Sequence, residues 1–344
     1  MAEAGAVPPS LSEQVTRLYD LIGGYHATNL MDIADKLCVW SAVTATPGIT
    51  SDALAEALSL QPFYTDVLCR TAFSFGLLDR DGQGWRMGPY FDQILGNPDS
   101  SFYLAGAARV HLKVGEDYSE YVEHFRNGTT KPYQAHDAAF MEDVAGALQS
   151  LPRLFMDFVL PQLPELGTKF ETARILDVGC GGGWALVHFA ERFSGARCLG
   201  VEVEPYSVDL ARKLIRDRGL EDRCEVRLGS VELAEPGSYD IETSFLVIHE
   251  IEPAIKQRFF TDVARTLKPG GSFLVFDEAY PENDEDLRTM PRRFAALAQW
   301  FELVWGNRVN TRSELAQLCR DAGLEVSQET SFSRFHILVA TKPA

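Results

Sequence analysis

The chain has 344 residues and a formal net charge of −17, with 49 acidic against 32 basic side chains. This length predicts two domains and a sizeable apolar core. The charge argues against nucleic-acid and anionic-membrane partners, because like charges repel at long range. The six cysteines are widely spaced and form no C-x-x-C pair, so neither a disulfide framework nor a zinc cluster is indicated.

No segment approaches the roughly 18 uninterrupted apolar residues of a membrane span. The first ten residues lack the basic region and apolar run of a signal peptide. We therefore expect a cytoplasmic protein, and a neutral or cationic small molecule is the substrate class that best suits its charge.

Helical periodicity dominates the first hundred residues. Apolar residues in two stretches between residues 11 and 45 predict two helices that each bury one face. Two further helices, at 50–58 and 63–78, precede a short hairpin at 79–87. This order is that of a winged helix, but its second helix offers Arg70 as its single cation. We expect a dimerising role rather than DNA binding.

Strands and helices alternate from residue 173 onward, after a mostly helical segment at 103–167. The alternation predicts an α/β fold with a Rossmann-like, doubly wound sheet of seven strands. Its last two strands, 325–332 and 335–341, read as a hairpin that adds an antiparallel edge. We assign three regions to the chain: a winged-helix-like domain, a helical linker and a sheet domain, at 1–105, 106–168 and 169–344.

The first strand of this sheet runs into a glycine-rich loop and then a helix. Gly179 and Gly181 have no Cβ, so the backbone there can turn tightly and approach a ligand. Asp177 precedes the first glycine and would repel a pyrophosphate, but it suits a ligand with a positive amino group and sulfonium. Glu202 ends the next strand, where a carboxylate accepts hydrogen bonds from ribose hydroxyls. NAD enzymes share the feature at Glu202, which by itself does not exclude them.

This loop strongly resembles motif I of class I methyltransferases that use S-adenosylmethionine (SAM). The Leu-Lys-Pro-Gly-Gly turn at 267–271 is common in the same enzymes. The resemblance implies SAM as cofactor and S-adenosylhomocysteine (SAH) as product. It also places Gly229, Ser230 and Phe245 beside the cofactor, although the family has an aspartate in place of Ser230 and a lysine in place of Phe245.

The fourth strand ends in His249 and Glu250, at the same sheet edge as Asp177 and Glu202. An imidazole is mostly neutral near pH 7 and can accept a phenol or enol proton, so we favour His249 as a general base. The alternative is that His249 caps the following helix or bonds within the core.

From about residue 11 to 341 the chain resembles the plant-type O-methyltransferase family and its bacterial relatives, which methylate phenols, phenazines and hydroxyindoles. The resemblance implies a homodimer formed through the N-terminal domain. It also implies His249 as the base of the family's His-Asp-Trp segment, flanked by Asp277, which lies four positions before Pro281. The family's second supporting glutamate has no counterpart in 306–311, so we expect the base to lack a second carboxylate.

The acceptor pocket is predicted from aromatic and apolar residues at helical spacing. Phe140 and Met141 either roof this pocket or belong to an interdomain core. In this family the aromatic helix at 294–305, with Trp300 and Trp305, lines the pocket, but its spacing suits a dimer core equally.

Two alternatives remain open. A related branch methylates the carbon of α-keto acids with a metal ion, and His249, Glu250 and Asp277 could form such a cluster. One histidine is few for this chemistry, so we do not expect a metal. The second alternative is a winged-helix regulator that binds SAM without catalysis.

Overall fold

A computed structural model describes residues 8–344. The chain divides into two compact units, one ending at Lys113 and the other running from Val114 to Ala344. None of the helices described is both long enough and apolar enough to cross a membrane.

The first unit is helical with one small hairpin. Its core gathers around Trp40 and Trp85, which are almost fully buried. The indole of Trp85 donates to the Ser51 hydroxyl at 2.8 Å and so ties the hairpin to the third helix. The elements, in chain order, are α1 (Leu11–Lys36), α2 (Val39–Ala45), α3 (Ser51–Leu58), α4 (Pro62–Ser74), β1 (Leu78–Asp81) and β2 (Gly84–Met87).

Helix α1 corrects one prediction. The sequence predicts that two apolar stretches form separate helices, but both lie in one continuous helix of 26 residues, followed by the short α2. The polar residues between the stretches interrupt the apolar pattern, but the helix continues through them. Thr28 Oγ1 and Asn29 Nδ2 donate to carbonyls one turn earlier, which satisfies them within the helix.

The second unit begins with helices and continues into a sheet. The helices that precede the sheet are α5 (Ala105–Asp117), which starts in the first unit, α6 (Tyr121–Asn127), α7 (Ala138–Ala147), α8 (Leu151–Leu154) and α9 (Pro164–Phe170). The later helices are α10 (Trp184–Arg192), α11 (Pro205–Asp217), α12 (Pro253–Thr266), α13 (Met290–Trp305) and α14 (Arg312–Asp321).

The sheet has seven strands in the order β5-β4-β3-β6-β7-β9-β8, and β9 alone runs antiparallel to its neighbours β7 and β8. The strands are β3 (Arg174–Val178), β4 (Arg197–Glu202), β5 (Cys224–Leu228), β6 (Tyr239–Phe245), β7 (Leu267–Glu278), β8 (Glu325–Phe332) and β9 (Phe335–Thr341). The predicted α/β fold with seven strands is confirmed, and the final hairpin falls at the predicted residues.

The strand order sets the position of the site. Ile175, Leu176 and Val178 are all buried because helices cover both faces of the sheet around β3. The order of strands reverses between β3 and β6, so the connections after these two strands diverge to opposite sides. This divergence leaves a crevice at the carboxyl edge of the sheet, where ligands bind in doubly wound folds.

Candidate active site

The glycine loop connects β3 to α10 with three glycines in left-handed conformations. Gly179, Gly181 and Gly183 have φ angles of +72°, +48° and +84°. A Cβ on Gly179 would lie 2.6 Å from the Val247 side chain, whereas one on Gly181 would meet no atom within 4 Å. The sequence therefore needs glycine at 179 for space and at 181 for a backbone exposed toward the crevice.

A cavity of about 540 Å³ lies beside this loop in the second unit. All seven residues predicted to bind the cofactor line it, namely Asp177, Gly179, Gly181, Glu202, Gly229, Ser230 and Phe245. They come from the ends of four neighbouring strands and the turns that follow, which is why sequence positions so far apart meet here.

Glu202 is held rigidly at the end of β4. One of its carboxylate oxygens accepts the Gly181 amide at 2.9 Å, and the other accepts the Glu204 amide at 3.0 Å. Burial raises the pKa of Glu202 above its ordinary value, while these backbone hydrogen bonds oppose the rise. The carboxylate is thus fixed where two adjacent hydroxyl groups could donate to it.

Asp177 lies deeper, with 2% of its surface exposed. It accepts a hydrogen bond from Thr243 Oγ1 at 2.6 Å. Burial raises the pKa of Asp177 to about 7, against this hydrogen bond, and the charge of Glu202 adds to the rise. A cation bound in the cavity would therefore stabilise the ionised form of Asp177.

His249 occupies a 3₁₀ turn just after β6, where Leu246 adopts a left-handed φ of +57°. Its Nδ1 forms a short hydrogen bond with Asp277 Oδ1 on β7. The other Asp277 oxygen accepts the Ile248 amide at 2.8 Å, so one carboxylate fixes both the ring and the turn. His249 itself is 7% exposed and is not a lining residue, whereas its neighbour Glu250 lines the cavity.

Glu302 on α13 corrects the expectation that the base lacks a second carboxylate. Its Oε1 lies 3.8 Å from His249 Nε2, on the ring edge opposite Asp277. Its Oε2 accepts the Asn307 side-chain amide at 2.9 Å. The signal in the sequence was an acidic residue on the buried face of α13, the face that also carries Ala295 and Ala298.

These carboxylates control the charge of the imidazole. Burial alone would lower the pKa of His249, but the charge and hydrogen bond of Asp277, then the charges of Glu302 and Glu250, outweigh it and raise the pKa to about 10. Burial raises the pKa of Glu302 to about 7 and that of Glu250 to about 8, and their mutual repulsion contributes to the latter. The cluster favours a protonated imidazole.

The residues predicted to bind the acceptor fall into two groups. Met141 lines the cavity, whereas Phe140, Trp300 and Trp305 lie outside it. Phe140 stacks on His136 with ring centres 4.1 Å apart, and Trp305 meets the same histidine edge-on at 5.5 Å. Trp300 is 42% exposed and belongs to a separate aromatic group on α6 and α13.

Comparison with known proteins agrees with this geometry. Residues 175–271 match the family model described as "Methyltransferase domain". A rice 24-methylenesterol C-methyltransferase 2 is 30% identical over 168 residues, which cover 45% of this chain and 42% of that protein. The chain spans less than half the length of the first curated relatives that it matches.

Several solved structures match nearly the whole chain, and two of them show the extent of the similarity. Human N-acetylserotonin methyltransferase, solved in complex with SAM, has a TM-score of 0.77 at 17% identity and covers 100% of both chains. A putative O-methyltransferase from Nostoc punctiforme has a TM-score of 0.75 at 18% identity and covers 97% of this chain and 100% of its own. Residues 175–271 thus match a methyltransferase domain, and the chain as a whole has the fold of these solved methyltransferases.

Proposed function

We propose that the protein transfers the methyl group of SAM to an oxygen of a small aromatic or enolisable acceptor in secondary metabolism. The observation that carries this proposal is the position of the His249 imidazole. Asp277 holds the ring by a hydrogen bond, and the next residue in the chain, Glu250, lines the cofactor cavity. An imidazole held in this way can remove a proton from an acceptor while a methyl group is transferred. The names of the structural relatives support oxygen as the methylated atom.

The cavity residues fit SAM. Gly181 presents backbone toward open space, Glu202 offers a fixed carboxylate to the ribose hydroxyls, and Asp177 balances positive charge. Bound SAM would supply an electrophilic methyl group and its own leaving group. The protein is left with orienting the acceptor and moving one proton.

His249 Nε2 is the atom assigned to that proton. Asp277 accepts a hydrogen bond from Nδ1–H, which leaves Nε2 to act toward the acceptor, and Glu302 stabilises the imidazolium that forms. Because the pKa of His249 is raised to about 10, Nε2 already carries a proton at neutral pH. Turnover should therefore increase as the pH rises toward that value.

A histidine substitution tests the proposal. His249→Ala should lower kcat on a hydroxylated aromatic acceptor by about 10²- to 10⁴-fold, because proton removal is lost. SAH affinity, measured by calorimetry, should stay unchanged. His188→Gln is the matched control, since this buried imidazole bonds the Gln149 carbonyl and lies outside the cavity wall. Full turnover in His249→Ala would refute the assignment of the base.

We further propose a homodimer formed through α1. Several large apolar side chains of this helix are exposed within the chain, namely Leu11, Leu18, Tyr19, Leu21 and Tyr25. Light scattering should give the mass of a dimer, and the double substitution Leu18→Glu and Leu21→Glu should give a monomer. Arg17→Glu, another change on the same helix, should remain dimeric.

A metal-assisted carbon methylation is the second candidate, and one observation favours it. Ligand atoms of His249, Glu250 and Glu302 all lie within 4.8 Å of one another. Asp277 holds the far side of the imidazole, as carboxylates commonly do behind a metal ligand. A divalent cation held there would polarise an acceptor oxygen. Turnover by metal-free protein in the presence of a chelator would exclude this candidate, and its loss would favour it.

A further inference from the structure

The wall of the active-site cavity is strongly acidic. Seven carboxylates line it, and Arg258 is the one guanidinium or ammonium among the described lining residues. Arg258 is already paired with Glu232 at 2.7 Å and with Asp262 at 3.7 Å. The remaining carboxylates create a negative potential, which favours a cation in the cavity.

Most of these remaining carboxylates have a structural partner. Asp177 accepts a hydroxyl, Glu202 accepts two backbone amides, and Glu204 caps the start of α11. Glu252 is solvent-exposed at the start of α12. Glu250 differs from all of them: in the described chain, no hydrogen bond or ion pair joins its carboxylate to another residue.

A second carboxylate, that of Glu302, lies next to Glu250 and 3.8 Å from the His249 imidazole. Glu302 is 1% exposed, and its Oε1 has no hydrogen-bond partner among residues 8–344. This oxygen lies within 4.8 Å of a Glu250 oxygen. Two carboxylates at that separation repel each other, and the His249 imidazolium beside them is already paired with Asp277, so a further positively charged donor at Glu250 would stabilise the pair.

We propose that the acceptor carries a protonated amine and that Glu250 binds it. This inference rests on the proposed methyl transfer and specifies the charge of the acceptor. An ammonium group has three N–H donors and one positive charge, which suits Glu250 directly and offsets its repulsion from Glu302. Met141, Val144 and Leu148 line the same cavity and offer apolar surface to the body of the acceptor.

The same geometry favours an organic ammonium over a metal ion. Of the three groups that could hold a metal, Glu250 is the one that belongs to the described cavity lining. A divalent ion needs several ligands at short range. An ammonium needs one accessible carboxylate, which is what this wall presents.

Paired ligands that differ in charge alone test the inference. The full-length protein, saturated with SAH, is titrated with tyramine and with N-acetyltyramine, and then with 4-hydroxybenzylamine and its N-acetyl derivative. Each amine should bind at least about tenfold more tightly than its neutral amide at neutral pH. Glu250→Gln should abolish this preference while SAH affinity and thermal stability stay close to the wild type. Glu252→Gln, which removes an exposed carboxylate from the same cavity, should retain it.

Each outcome decides the inference. Equal binding of amine and amide, absence of binding by both amines, or an amine preference that survives in Glu250→Gln overturns it. Binding of Mn²⁺ or Zn²⁺ that is lost in Glu250→Gln, with no amine preference, overturns it in favour of a metal site. Failure of the proposed function looks different: the amines would bind through Glu250, yet no methyl group would pass from SAM to any acceptor. Methylation of neutral acceptors without an amine preference would leave the function standing and remove the inference.

Discussion

The two halves of the active site are built differently. The cofactor half consists of strand ends and the turns that follow them, such as the glycine loop after β3 and Glu202 at the end of β4. The proposed acceptor half is formed by helices, among them α7, which carries Met141 in the cavity wall, and α13, which carries Glu302 next to the proposed base. One half is fixed by backbone hydrogen bonds and the other by side-chain packing.

This difference has a consequence for function. A site made of strand ends tolerates little change, because backbone geometry is shared with the whole sheet. A site made of helix faces can change its lining residue by residue while the sheet stays the same. We therefore expect the cofactor half to identify the reaction class and the acceptor half to determine the acceptor.

A substitution of Asp277 tests most sharply whether the cofactor half and the acceptor half act separately. Asp277 lies on the sheet but contacts the proposed base. Asp277→Asn should lower kcat by about 10³- to 10⁴-fold. The neutral amide no longer orients the ring by accepting a charge-assisted hydrogen bond from Nδ1–H, and it no longer stabilises the imidazolium. SAH affinity should change little. The control is Glu278→Gln, a neighbouring buried carboxylate that pairs with Arg334. A loss of SAH affinity equal to the loss of kcat would show that the halves are not separable.

Gly179→Ala should have the opposite profile. The new Cβ meets Val247 at 2.6 Å and the residue keeps a φ of +72°, so strain on the order of 1–3 kcal/mol falls on the loop. Calorimetry should show SAH affinity lowered by about ten- to a hundredfold.

The control for Gly179 is Gly270, which has a similar φ of +74° with no atom near a new Cβ, and which does not line the cavity. Gly270→Ala should lower the melting temperature and leave SAH affinity unchanged. Equal loss of affinity in both variants would mean that general destabilisation, and not the loop, is responsible.

Glu302 should have a smaller effect, visible in the pH profile. Its negative charge helps to raise the pKa of His249, so Glu302→Gln should lower that pKa and move the rise of kcat/KM to lower pH. The plateau should fall by about tenfold, since the imidazolium loses a stabilising charge. Asn307→Ala removes the hydrogen bond to Glu302 and keeps its charge, so its profile should stay in place. If the pH profile of kcat/KM is the same in Glu302→Gln as in the wild type, Glu302 does not influence the pKa of the base.

The sequence predicts which residues of the cofactor half come together at the cavity, because each lies at or just after the end of a buried apolar strand. Asp177 and Glu202 need no knowledge of packing, since parallel strands end at one edge. Glu302 could not be placed in this way. Its position on the apolar face of α13 indicates a buried carboxylate, but its partner depends on how α13 packs against the sheet.

The packing partners of the aromatic residues could not be predicted from the sequence for the same reason. Helical spacing correctly places Phe140 and Trp305 among buried residues, but spacing does not say which surface they bury against. Both contact His136 rather than the cavity that contains the glycine loop. Their predicted role in binding the acceptor stays a prediction, and so does that of Trp300.

Trp300 gives the smallest expected effect and the finest test of the acceptor half. Its ring packs on Tyr121 and Phe125, with ring centres 5.1 and 5.7 Å away, and it lies outside the cavity wall. Trp300→Ala should therefore change the KM of the acceptor by about twofold at most, as for a surface substitution. Met141→Ala, which removes a side chain of the cavity wall, should raise KM more. A larger effect at Trp300 than at Met141 would mean that the acceptor lies against α13 and not in the cavity that Met141 lines.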